Sequence, residues 1–209
     1  MDLGTQTETI RQRRSLLEQH IGFKLDAIMQ QIINARDTYT GEHCNRVLSL
    51  SEAIGDKLQL SEHQMVVLSL SAGFHDIGKI GIPDHILLKP GQLEPEEYEI
   101  IKTHPLIGAN IMRSLGNPLL DEVAECILHH HEYWDGSGYP EGLSGEQIPL
   151  ISRVIAVVDA YDAMTTTRAY RKGASQTEAL KVIQKETRRH FCPDIVDVLT
   201  TLSREAIAE

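Results

Sequence analysis

Apolar positions recur at helical spacing along nearly the whole chain. Between Leu16 and Arg36, the residues Leu17, Ile21, Leu25, Ile28 and Ile32 step by four, four, three and four, which is one face of a helix. A second helix is predicted from Glu42 to about Leu60. Ser61 stands as the N-cap of a third, strongly apolar one, EHQMVVLSLSAGFHD. Pro95, with acids behind it, suits the first turn of another. HPLIGANIMRSLG reads as a helix ending at Gly116. Pro118–His131, Glu146–Thr165, Ser175–Arg188 and Pro193–Ala208 complete the set. No stretch alternates with period two between hairpin turns. The fold class is therefore all-α: one helical domain after an N-terminal helix, without internal repeats.

Composition narrows the function. Apolar residues make up 41% of the 209, enough for a core. Lys and Arg total 20 against 30 Asp and Glu, a formal net charge of -10. A surface this acidic excludes non-specific binding of a nucleic acid polymer or an anionic membrane. Cys44, Cys126 and Cys192 lie far apart, with neither a CxxC pair nor a disulfide framework, which points to a reducing compartment. No apolar run approaches a membrane span, and the polar N-terminus lacks the apolar stretch of a signal peptide. The expected location is cytoplasmic.

Charged and imidazole side chains recur where apolar runs stop. His75 and Asp76 close the most apolar helix of the chain. Burying both is costly unless something compensates them. A metal ion does so, because it binds neutral imidazole and ionised carboxylate together; a buried His–Asp hydrogen bond is the alternative. His130 and His131 follow VAECIL, His104 sits at a helix junction in KTHPLIG, His43 opens the second helix, and Asp159 ends ISRVIAVVD. The recurrence suggests an internal polar centre. His43, His75, Asp76, His104, His130, His131 and Asp159 are too many for one tetrahedral zinc. Divided over two sites with Asp76 bridging, they leave positions for water and substrate. Nitrogen and oxygen donors without thiolate suit iron, manganese, nickel or zinc.

Four stretches carry a family resemblance: HDIGKIGIPDHILLKPGQL, HPLIGANIM, HHEYWDGSGYPEGLSGEQIPL and RVIAVVDAYDAMTTTRAYR. Over about Asp37 to Val198 the chain resembles the HD-GYP domain of the HD superfamily, the metal-dependent cyclic di-GMP phosphodiesterases. The resemblance includes the His75–Asp76 pair and the motif Gly138-Tyr139-Pro140. It implies a helical bundle with extra helices and a GYP loop, over residues 37–209 after a helical segment or linker at 1–36. It implies hydrolysis of cyclic di-GMP to linear pGpG, with or without a further step to GMP. It implies that His43, His75, Asp76, His104, His130, His131 and Asp159 are metal ligands. Lys79, Arg168 and Arg171 match positions that contact substrate phosphates, and Tyr139 one that lines the substrate site. Asp76 and Lys79 are the expected catalytic residues.

The expected reaction uses a hydroxide bridging two metals, since a metal lowers the pKa of bound water to about 7. The hydroxide attacks phosphorus and the 3′ oxygen leaves, with Lys79, Arg168 and Arg171 neutralising the developing charge. These groups make the site locally positive on an acidic protein. Two rival functions stand beside this one: a hydrolase of a mixed cyclic dinucleotide or other nucleotide, and a weakly catalytic module that senses cyclic dinucleotide.

Several residues need separate readings. The family motif is HHE, so His130 and His131 are the ligand pair and His129 is an extra, expected to face solvent or support a ligand. Some family members carry Glu four residues before the first histidine and assemble three metals. Tyr39 stands there in this chain, so two divalent ions are expected, iron, manganese or nickel ahead of zinc. Cys192 replaces the Asp of a usual FDP, a local change. Asp162 is expected to hold a ligand or arginine, Arg46 to pair with an acid, and Gly108 to permit close packing. His20, His63, His85, His190 and Lys172 read as surface residues. The stripe Leu17 to Ile32 is expected either to form a homodimer contact or to pack on its own domain. No receiver or sensory domain is read in the 209 residues, so the sequence does not show the regulatory input; regulatory partner proteins are one candidate.

Overall fold

A computed structural model describes residues 38–167 and 172–208, and side chains within 43–167 and 172–205. The Leu17–Ile32 stripe, His20, Arg168 and Arg171, and the Tyr39 side chain therefore lie outside the described residues. The chain separates into residues 1–41 and 42–209, and the second unit holds His43, Asp159 and every candidate ligand between them.

The described residues form helices α1 (Thr38–Lys57), α2 (Glu62–Phe74), α3 (Asp84–Leu87), α4 (Pro95–Ile101), α5 (His104–Arg113), α6 (Pro118–Leu128), α7 (Leu150–Thr165), α8 (Gln176–Lys185) and α9 (Pro193–Ala208). The one-turn helix α3 and short 3₁₀ turns at Ile77–Gly81 and Gly145–Gln147 are added to the expected set. There is no strand among the described residues, only an isolated bridge between Thr187 and Phe191. The all-α expectation holds.

Local signals account for most helix boundaries. The Ser61 hydroxyl accepts from the Gln64 backbone N–H, and the Gln64 side chain accepts from the Ser61 N–H at 3.0 Å, a reciprocal capping box. Ser175 and Glu178 repeat the device at α8. The Asn117 side chain caps α6 ahead of Pro118. After α5 the chain reaches Gly116 at φ +63°, the left-handed region that glycine adopts without steric penalty. Several boundaries differ from expectation: α7 begins at Leu150 rather than Glu146, α8 ends at Lys185 rather than Arg188, and two further shifts bear on the site. Helix α1 begins at Thr38, so His43 lies inside it rather than at its start. Helix α6 stops at Leu128, so His129–His131 form a turn rather than a last helical turn.

Helix α5 packs against α6 and against the 3₁₀ turn at Ile77–Gly81; α2 packs on α6 and α7; α8 and α9 cover α7. Phe74, Ile54, Leu68, Met112, Ile127, Ile155, Ile183, Ile195 and Leu199 fill the interior. Gly108 and Gly78 permit a very close approach. A Cβ on Gly78 would lie 1.9 Å from the His104 carbonyl oxygen and 2.5 Å from the Gly108 nitrogen. The segment after Asp76 thus runs backbone to backbone along the start of α5, which brings His75, Asp76 and His104 into one neighbourhood. No described helix is long and apolar enough to cross a membrane.

Candidate metal centre

Helix ends leave carbonyl groups without intrahelical partners. Three histidines use them. His75 Nδ1 donates to the Ala72 carbonyl at 2.8 Å, His104 Nδ1 to Ile101 at 2.8 Å, and His130 Nδ1 to Ile127 at 2.6 Å. In each case the acceptor lies three residues back, at the end of α2, α4 or α6. The bond places the proton on Nδ1, fixes the ring, and leaves the Nε2 lone pair directed elsewhere. That common direction is a buried cluster.

The cluster has two parts. His43, His75 and Asp76 offer donor atoms all within 4.8 Å of one another, and so do His104, His130 and His131. Asp76 joins the two parts. Its Oδ2 lies 3.6 Å from His75 Nε2 and 4.0 Å from His43 Nε2, while its Oδ1 lies 3.4 Å from His104 Nε2. His104 and His130 approach Nε2 to Nε2 at 3.3 Å. Asp159 joins the first part, its Oδ1 3.1 Å from His43 Nε2. It does so from within α7, not from a helix end. All seven residues singled out in the sequence thus converge.

The donor set fits metal ions. His75 Nε2 is fully buried and has no hydrogen-bond partner among the described residues. An orphaned imidazole nitrogen facing a carboxylate and other imidazoles is what a ligand position requires. Burial holds the pKa of His104 down to about 4 and that of His131 to about 3, and pushes His130 well below the usual histidine range. These imidazoles are neutral at pH 7, with lone pairs available. Burial would push Asp76 up, but Lys79 and the surrounding histidines hold it well below the usual carboxylate range. Burial alone would lower His43. Hydrogen bonds to Asp159 and Asp162 outweigh it and raise His43 to about 9. His43 therefore gives up a proton when it acts as a ligand.

Asp162, one helical turn after Asp159, supports this arrangement. Its carboxylate meets His43 Nδ1 at 2.6 Å and Arg46 Nε at 2.6 Å. It orients His43 as the helix-end carbonyls orient the others, and Arg46 makes the expected acid pair. Asp162→Asn is expected to weaken metal binding at the His43 site by about 10–100-fold, leaving the His104 group at wild-type affinity. Titration of metal-free protein followed by equilibrium dialysis measures this. Equal affinity at both sites in the variant would remove Asp162 from that role.

The loop after the ligand pair folds straight back onto it. The Tyr139 N–H donates to the His131 carbonyl at 3.1 Å. A Cβ on Gly138 would lie 2.2 Å from the Tyr133 nitrogen and 2.6 Å from the His131 oxygen, so only glycine fits there. Glu132 is buried, and its Oε1 accepts from the backbone N–H groups of Glu141 at 2.7 Å and Gly142 at 3.1 Å. The Tyr139 ring comes to rest 5.0 Å from that of His131, tilted by 30°.

His129 does not face solvent. It is buried, with Nδ1 donating to the Glu125 carbonyl at 2.9 Å and Nε2 3.4 Å from a Glu141 carboxylate oxygen. Once α6 ends, the three histidine side chains diverge: one meets the loop and two meet the centre. The roles of Glu132 and His129 as fasteners of the GYP loop escaped the sequence reading, although Glu132 is the third letter of HHE. His190 is half-buried and stacks on Tyr133 at 4.1 Å, whereas His63, His85 and Lys172 are exposed as expected. Lys79 directs its ammonium to Asp76 Oδ2 at 2.5 Å. Cys192 is buried, with an Arg153 N–H 3.8 Å from its sulfur.

Exposure within the centre is uneven among the described residues. His43, His75, Asp76, His104 and His130 are buried, while the Asp159 side chain is 23% exposed and His131 and Tyr139 are partly so. Among the described residues, Asp159, His131, Tyr139 and Lys79 are the parts of the centre and its border that reach solvent.

A protein-family profile described as "HD domain" matches residues 27–195. The chain is 41% identical over 183 residues to a cyclic di-GMP phosphodiesterase of Thermotoga maritima, covering 88% of this chain and 50% of that one. It is 35% identical to the cyclic di-GMP phosphodiesterase response regulator RpfG of Xanthomonas campestris, covering 95% and 55%. Among solved structures it is similar to V-cGAP3, a cyclic GMP-AMP-specific phosphodiesterase of V. cholerae, with TM-score 0.67, 25% identity, and 86% and 49% coverage. The chain spans about half the length of these curated relatives.

Proposed function

We propose that this chain, which belongs to the HD domain family, hydrolyses a cyclic dinucleotide, cyclic di-GMP first, to linear pGpG, with or without a further step to GMP. The observation that carries the reading is the meeting of two imidazole groups at Asp76, with Oδ2 turned to one and Oδ1 to the other. One bridging carboxylate between two donor sets suits two divalent ions. His43, His75, Asp76 and Asp159 would hold one, and Asp76, His104, His130 and His131 the other. Iron, manganese or nickel suits this donor set ahead of zinc, which prefers fewer ligands. Such ions supply Lewis acidity and a water acidic enough to serve as nucleophile at neutral pH. The catalytic domain is taken as residues 37–209.

The chain's own groups then have definite tasks. Lys79 keeps a cation beside Asp76, within the half-open mouth, where a phosphate oxygen arrives. Arg168 and Arg171 are assigned to the same phosphates from the sequence resemblance. Tyr139 flanks His131 and limits the mouth on the loop side. The outcome is exchange of a P–O bond to the ribose 3′ oxygen for one to water, the oxygen leaving with a proton. The relatives' names extend the substrate question to cyclic GMP-AMP. A sensing module would need the same pocket without turnover.

Purified protein loaded with iron, manganese, nickel or zinc, and assayed on cyclic di-GMP, cyclic GMP-AMP and pGpG, tests the proposal. The expected result is turnover of cyclic di-GMP with two metals per chain, counted by anomalous scattering or elemental analysis. Three fully occupied ions would show that Tyr39 does not limit the count. Tight binding without turnover under every metal would make the protein a sensor.

A further inference from the structure

The mouth of the centre carries side chains that the proposed chemistry does not use. Lys102, which follows α4, places its ammonium 5.3 Å from the Tyr139 ring centroid and 5.9 Å from that of Tyr98. Tyr139 in turn lies 5.0 Å from the His131 ring. Tyr98, Lys102 and Tyr139 thus make a continuous shelf from solvent to the candidate ligands. Tyr98 is 47% exposed, so its ring is open to solvent beside Lys102. Lys102 pairs with Glu99 at 2.9 Å, but the Glu99 side chain is 67% exposed. A pair that open contributes little and exchanges readily for another anion.

A cyclic dinucleotide presents two bases and two phosphates, and one phosphate reacts at a time. The other half must be met beyond the metal ligands. Its needs are a flat aromatic face for a base and a cation for a phosphate. We propose that Tyr98 and Lys102, together with Tyr139, form a subsite for the non-reacting half of the substrate. The base stacks on Tyr98, and the phosphate displaces Glu99 from the Lys102 ammonium. This rests on the cyclic-dinucleotide reading above. A purely structural role competes with it, because Tyr98 and Lys102 are four residues apart and such pairs steady a short helix.

The variants Lys102→Gln, Lys102→Arg, Tyr98→Ala and Tyr98→Phe separate the two. Binding of a hydrolysis-resistant phosphorothioate of cyclic di-GMP to metal-loaded protein is measured by calorimetry, alongside kcat, KM and melting temperature. Lys102→Gln and Tyr98→Ala are each expected to weaken binding and raise KM by about tenfold. Lys102→Arg and Tyr98→Phe are expected to recover most of the loss. The ratio of kcat/KM for cyclic di-GMP to that for bis(p-nitrophenyl) phosphate, which lacks a second phosphate, falls by the same factor. Equal losses on both substrates, or a lowered melting temperature at unchanged KM, would overturn the subsite. Wild-type protein that binds and cleaves cyclic dinucleotide while Lys102→Gln matches it defeats the subsite alone. Wild-type protein that neither binds nor cleaves one defeats both readings.

Discussion

Asp76→Ala is expected to reduce phosphodiester hydrolysis by at least about a thousandfold and to lower bound metal below one ion per chain. The motive is geometric. Among the described residues, Asp76 is the carboxylate whose two oxygens reach toward both imidazole groups, at 3.6 Å from His75 and 3.4 Å from His104. In the proposed reading, its removal takes a shared ligand from two sites at once. It also leaves Lys79 facing buried imidazoles without its nearest counter-charge, since the 2.5 Å ion pair is lost. His75→Ala is the companion, removing a ligand from one site only, and is expected to retain the ion at the His104 group. Activity and elemental analysis of the two variants side by side decide the matter. Full activity with full metal content in Asp76→Ala would sink the assignment of the centre.

Gly78→Ala is expected to destabilise the fold by about 3 kcal/mol, a fall in melting temperature of about 10 °C for a chain of this size. The added methyl would sit 1.9 Å from the His104 oxygen and 2.5 Å from the Gly108 nitrogen. Both are backbone atoms, so no side-chain rotation relieves the clash. The 3₁₀ turn must part from α5, which carries Asp76 away from His104. Loss of stability and loss of metal should therefore occur together, the first by calorimetry and the second by elemental analysis. A melting temperature equal to that of the parent would show that the two segments are not packed as described.

These two residues differ in how they could be found from sequence. The Asp76 candidacy follows from a charged pair closing an apolar helix. Gly78 lies in IGKIG, where its neighbour thirty residues on, Gly108, is invisible to any local rule. The helices were legible because 3.6-residue periodicity and caps such as Ser61 are local properties of the chain. Their precise ends were less so: α6 stops at Leu128 and α1 starts at Thr38, since tertiary contacts choose among near-equal local options at a helix end.

What the sequence by itself determined is the all-α class, a set of seven polar residues whose placement along apolar runs suggests one internal centre, and the Gly138-Tyr139-Pro140 motif that follows His131. Burying imidazole and carboxylate at the ends of apolar runs is costly enough to imply compensation wherever the chain folds. The tertiary structure alone decided how the seven divide. It set Asp76 between two groups and let the carbonyls of Ala72, Ile101 and Ile127 choose each tautomer. It brought Asp162 from α7 across to His43 in α1, at 2.6 Å. It also turned His129 away from solvent and toward Glu141. These are relations between segments up to 119 residues apart in the chain. They depend on distance and direction in space, and a one-dimensional pattern carries neither.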